Sequence, residues 1–158
     1  MSDLVHSSSV TWVVFDRDRT ISAGFARMLR AAWQDERIRL ETVLVGQLED
    51  ATRAVEQSRA GLLWLVIQED DAAAACRVLL KVRSRWADCL RLVYLPQEAS
   101  HLHPLLAEAG AQMLVSGIPC CQRLIPSLVG KIPKKTGGYH PLTTGLVDRL
   151  AWGDRFSK

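Results

Sequence analysis

Leu62 to Ile67 reads LLWLVI, an uninterrupted apolar run between Gly61 and Gln68. It is the most apolar stretch of the chain. A run this short with no polar alternation fits a strand covered on both faces. A strand of that kind is central in a sheet that carries helices above and below it.

The rest of the chain alternates between the same two hydrophobic periods. Short apolar runs at Thr11–Phe15, Leu40–Val45, Leu92–Leu95 and Met113–Val115 read as further strands. Between them lie stripes at helical spacing. Phe25, Met28, Leu29, Ala32 and Trp33 mark the first, with Thr20 or Ser22 as its cap. Leu48, Ala51 and Val55 mark the second. The third opens at Asp70-Asp71, where the helix dipole favours acids, and runs to Trp86. Leu102, Leu105, Leu106 and Ala109 mark the fourth. Cys121, Leu124, Ile125, Leu128 and Ile132 mark a fifth, which Pro126 should kink or delay. Strands alternating with helices imply a parallel sheet, because the crossovers are too long for hairpins. In such sheets sites form beyond the carboxyl ends of the strands. The residues that decide function should therefore follow Phe15, Ile67, Leu95 and Val115.

With 48% hydrophobic and 23% charged residues, the chain of 158 residues is expected to be one globular domain. No apolar run approaches the roughly 20 residues that span a bilayer. The first ten residues lack the basic start and apolar middle of a secretion signal. Cys76, Cys89, Cys120 and Cys121 show no metal-ligand spacing and read as reduced thiols of a cytoplasmic protein. Residues 1–130 hold 14 basic and 15 acidic side chains, whereas residues 131–158 hold six basic and two acidic ones. The net charge of +3 therefore belongs to the tail. Nucleic acid and membrane are not expected partners, since the body is not basic and the tail lacks interleaved aromatics.

VVFDRD followed by FARMLRAAW, LLKVRSRWADCLRLVYL, and LLAEAGAQMLVSG together resemble the response-regulator receiver family over about residues 11–132. The resemblance implies a three-layer α/β sandwich with five parallel strands in the flavodoxin-like order 2-1-3-4-5 and five helices. It also implies a site: acids after the first strand hold Mg²⁺, an aspartate ending the third strand is the nucleophile, a Ser or Thr ends the fourth and a Lys ends the fifth. Asp16 matches the first acidic position, but Arg17 stands where a second acid is usual and Asp18 comes one residue later. Val66 or Ile67 falls at the nucleophile position, Pro96 at the hydroxyl position, and Ser116 or Gly117 at the lysine position. An aliphatic side chain cannot attack phosphorus. The expected function is a non-enzymatic, phosphorylation-independent pseudo-receiver that signals through protein contacts. By resemblance its contact face is that of the fourth helix, fifth strand and fifth helix, around Leu102 to Leu128. The partner would be a signalling protein or a second copy.

Two rival readings use the same residues. Slipping the third strand would bring Glu69 or Asp70 to the nucleophile position, giving a phosphorylatable regulator. A Mg²⁺ site without phosphorylation would draw on Asp16, Asp18 and an acid of the Glu69–Asp71 run, Asp70 foremost. Otherwise no cofactor is expected, and Arg17 would pair with one of the acids. A flavodoxin-like ligand-binding domain is a further alternative, although no loop for flavin phosphate is present. His101 and His103 read as surface residues, and Cys121 as a buried thiol. Residues 1–10 read as a flexible N-terminus and residues 133–158 as a linker and tail. In the tail, Leu142, Leu146, Val147, Leu150 and Trp152 outline a short amphipathic segment that would dock on this domain or on a partner.

Overall fold

The five apolar runs form strands β1 (Ser8–Phe15), β2 (Ile38–Val45), β3 (Leu62–Val66), β4 (Leu90–Leu95) and β5 (Met113–Ser116). The helical stripes form α1 (Thr20–Ala32), α2 (Asp50–Ser58), α3 (Ala72–Arg85), α4 (His103–Ala109) and α5 (Ile118–Val129). The computed structural model describes residues 8–33, 38–133 and 135–136. The parallel sheet has the order β2-β1-β3-β4-β5, as expected.

Two apolar layers hold the sheet. On one face Val10, Trp12, Val14, Leu62, Trp64 and Leu92 pack against Phe25 and Leu29 of α1 and against Cys121, Ile125 and Leu128 of α5. The rings of Phe25 and Trp64 stack with centroids 4.1 Å apart, a contact that adds to area burial. On the other face Val13, Phe15, Leu63, Leu65 and Val93 meet α2, α3 and α4. Adjacent residues of β1 and β3 thus enter opposite cores. Period-two alternation demands this when both faces are covered.

Local chemistry modifies the ends of several elements. Neither Thr20 nor Ser22 caps α1. Arg19 occupies the cap position in a left-handed conformation (φ 57°), and the Asp16 carboxylate accepts the Ser22 backbone N–H at 2.8 Å. A short 3₁₀ turn, Glu69–Asp71, precedes α3. A second 3₁₀ turn, Gln97–Leu102, leads into α4. Pro126 neither ends nor delays α5, which runs through it on its exposed side.

The boundaries of the domain move outward at both ends. Ser8, Ser9 and Val10 belong to β1 rather than to a flexible segment, because Val10 is fully buried and the strand pairs with β2 from Ser8 onward. On its other side β1 overhangs β3, whose pairing starts only at Trp12–Leu62. A short strand β6 (Lys135–Thr136) covers that overhang, antiparallel to Ser8–Ser9. The segment expected to be a linker is therefore tied to the sheet here. Pro133 also packs on Gly61 so closely that a β-carbon there would lie 3.1 Å from the Pro133 carbonyl oxygen. Leu142, Leu146, Val147, Leu150 and Trp152 lie outside the described residues.

A chain ended after Pro133 tests this closure by amide hydrogen exchange. Ser8 and Ser9 should lose protection while Trp12 to Phe15 keep theirs. Unchanged protection at Ser8 and Ser9 would show that β6 contributes nothing to the edge.

Candidate functional site

At the carboxyl ends of the strands the sheet opens into a cleft of about 830 Å³. Asp16, Arg17, Asp18, Val66 and Pro96 all line it, together with Gln68, Glu69, Tyr94 and Glu98. Five candidates from the sequence thus share one cavity.

The structure resolves the ambiguity in the third strand. Val66 pairs with Tyr94 and lies half-buried on the cleft floor. Ile67 is fully buried in the core on the α3 side. Its backbone N–H still donates to the Tyr94 carbonyl at 3.0 Å, so it ends the ladder rather than turning into the cleft. Val66 is therefore the residue at the level of Asp16. Slipping β3 to present Glu69 or Asp70 would break the Leu62–Leu90 to Val66–Tyr94 register and expose Ile67.

Charge in the cleft is arranged around an ion pair between its two loops. The Arg17 guanidinium donates two hydrogen bonds to the Asp71 carboxylate, at 2.6 and 3.1 Å. This fork geometry is the strong form of such a pair. Asp71 is buried, and its Oδ2 also accepts the Gln68 backbone N–H at 3.0 Å. Arg17 lies over the Phe15 ring, 5.6 Å from its centroid. The expected pairing of Arg17 with an acid is met by Asp71, not by its sequence neighbours. Asp16 is buried and engaged with the start of α1. Asp70 does not line the cleft with Asp16 and Asp18. Among the described residues no three His, Cys, Asp or Glu side chains cluster as a metal site would require.

The remaining candidates sit apart. Ser116 and Gly117 end β5 outside the cleft lining, and neither can reach into it as a long cationic chain would. The Ser116 hydroxyl is hydrogen-bonded to His103 Nε2 at 3.0 Å. His101 lies 3.3 Å from Glu69 on the exposed rim. Tyr94 was not anticipated; burial pushes its hydroxyl above the usual tyrosine range, with Cys121, Cys120 and Glu98 adding to the effect. Burial likewise pushes the Cys121 thiol up to about 11 and the Cys89 thiol up to about 12. Cys120 is exposed at the start of α5.

No family model matches the sequence, and no curated protein matches it. Solved structures do. A response regulator from Thermotoga maritima is 13% identical with a TM-score of 0.61, covering 78% of this chain and 98% of that chain. An orphan response regulator of H. pylori is 10% identical with a TM-score of 0.59, covering 78% and 97%. An atypical orphan response regulator, described as revealing a phosphorylation-independent regulatory mechanism, is 15% identical with a TM-score of 0.56, covering 78% and 92%. The chain has the fold of response-regulator receiver domains. At these identities the likeness is one of backbone architecture.

Two substitutions test the geometry of β3. Val66→Asp should cost about 1 kcal/mol or less, since the new carboxylate meets solvent in the cleft. Ile67→Asp should cost about 3 kcal/mol or more, since it strands a charge in the core. Urea unfolding reads both, and equal costs would contradict the assignment. The thiols give a second test. Iodoacetamide at about pH 8 should modify Cys120 and spare Cys89 and Cys121 in the folded chain. The folded thiols hold their protons to higher pH than unfolded ones. Their contribution to stability is therefore full below about 9.0 and falls as pH rises toward about 11 and about 12.

Proposed function

We propose that this chain is a receiver-type signalling module that works without phosphoryl transfer and acts through protein contacts. The observation that supports this most strongly is Val66 on the cleft floor, level with Asp16, where receivers of this resemblance keep their attacking carboxylate. A methyl-tipped side chain offers no lone pair to phosphorus, and no geometry compensates for that. The surroundings agree. Pro96 offers no hydroxyl, Ser116 and Gly117 offer no ammonium, and Arg17 with Asp71 consumes one acid and supplies a fixed positive charge beside the others. The module requires no Mg²⁺ in this reading.

Output would then depend on a surface rather than on a phosphorylation switch. The face formed by α4, β5 and α5 is the candidate, by resemblance. It carries Leu105 and Ile118, which are 49% and 55% exposed. Its occupant would be a signalling protein or a second copy of the chain.

Incubation with acetyl phosphate and Mg²⁺, followed by intact-mass measurement, tests the reading. The expected result is an unchanged mass. A gain of one phosphoryl group, mapped to Glu69 or Asp70, would overturn it.

A further inference from the structure

A second groove lies away from the cleft, between α1 and the outermost strand β2, and encloses about 550 Å³. Its floor is apolar: Trp12 and Ala26 are buried beneath it, and Leu44 stands 46% exposed along one wall. Arg19, Arg27 and Arg30 line it from the α1 side. Among the described residues no carboxylate lines it and none of these arginines forms an ion pair. The sheet register explains the asymmetry. Leu40, Thr42 and Leu44 are level with Val10, Trp12 and Val14 and so share their face. Glu41, level with Thr11, points to the opposite face and accepts the Thr11 hydroxyl at 3.3 Å. The acid of β2 thus cannot neutralise the arginines of α1.

The rim of this groove is also an open strand edge. β2 runs from Ile38 to Val45 at the end of the sheet, and among the described residues no strand pairs with its outer side. A long uncovered edge is a template for an added strand, with backbone bonds giving affinity and alternate side chains giving specificity.

We propose that this groove receives an extended segment of a protein partner, laid along β2, whose inward side chains are alternately apolar and acidic. The apolar ones would cover Leu44 and the floor, and the acidic ones would meet Arg19, Arg27 and Arg30. Nucleic acid fits less well. Residues 1–130 hold 14 basic against 15 acidic side chains, which opposes a polyanion. The groove's aromatic ring, Trp12, is buried and offers no face for a base to stack on. The inference concerns a different surface from the cleft and does not rest on phosphorylation independence, so a phosphorylated mass would leave it standing.

The test uses the full chain, ¹⁵N-labelled, titrated with a synthetic peptide of about eight residues, the length of a typical strand, in which every second residue is in turn valine and glutamate with threonine between them, so that one face carries both. The Trp12 indole N–H, which donates to the Thr42 hydroxyl at 2.6 Å, is a built-in reporter. Saturable shifts should appear at the Trp12 indole, along 38–45 and along 19–30. Arg27→Glu combined with Arg30→Glu should weaken binding about tenfold or more, and added salt should weaken it too. Absence of shifts at millimolar peptide would overturn the proposal. So would equal binding of the same peptide with lysine in place of glutamate, shifts confined to another face, or tighter binding of a thymidine oligonucleotide at the same arginines.

Discussion

The two-sided burial of β3 is the constraint on which the rest of this molecule depends. Leu62, Leu63, Trp64 and Leu65 are fully buried, facing α1 and α5 or α2, α3 and α4 in turn. A slip of one residue would send every side chain of the strand into the wrong core. That fixed register delivers Val66 to the cleft floor and seals Ile67 beneath α3. The chemistry available in the cleft is thus decided by packing, in residues that themselves react with nothing.

The ion pair of Arg17 with Asp71 follows from the same scaffold. Parallel crossovers carry the ends of β1 and β3 to the same side of neighbouring strands, so their following loops meet. Arg17 reaches across and holds the loop that begins α3, while Asp71 also fixes the Gln68 N–H. A guanidinium is permanently charged and forked, so it holds its carboxylate without any diffusible ion. The tie between the two loops is built into the chain. In the proposed reading the cleft is arranged at folding, and regulation acts on the surfaces around it.

Much of this was legible in the sequence because periodicity reports burial. The runs at Thr11–Phe15 and Leu62–Ile67 and the stripe from Phe25 to Trp33 placed strands, helices and a sheet covered on both faces, while the strand order and the site position of Asp16 came from the resemblance to receiver domains. The choice between Val66 and Ile67 was not legible, because both are aliphatic and only the three-dimensional register says which face opens to solvent. The partner of Arg17 lies 54 residues away, beyond what local spacing can reveal. The strand Lys135–Thr136 carries no apolar pattern, and its pairing with Ser8–Ser9 is visible only in the fold. The α1–β2 groove has no local signature either, because Arg19, Arg27 and Arg30 are spread over α1 and its cap and meet β2 only in the fold.

A crystal structure grown with Mg²⁺ and beryllofluoride would test the central claim most directly, because it images which atom of β3 meets the cleft. The account requires Val66 at the floor, the Arg17 fork closed on Asp71, and no fluoride adduct on any carboxylate. An adduct on Glu69 or Asp70 with an ion between it and Asp16 would contradict it.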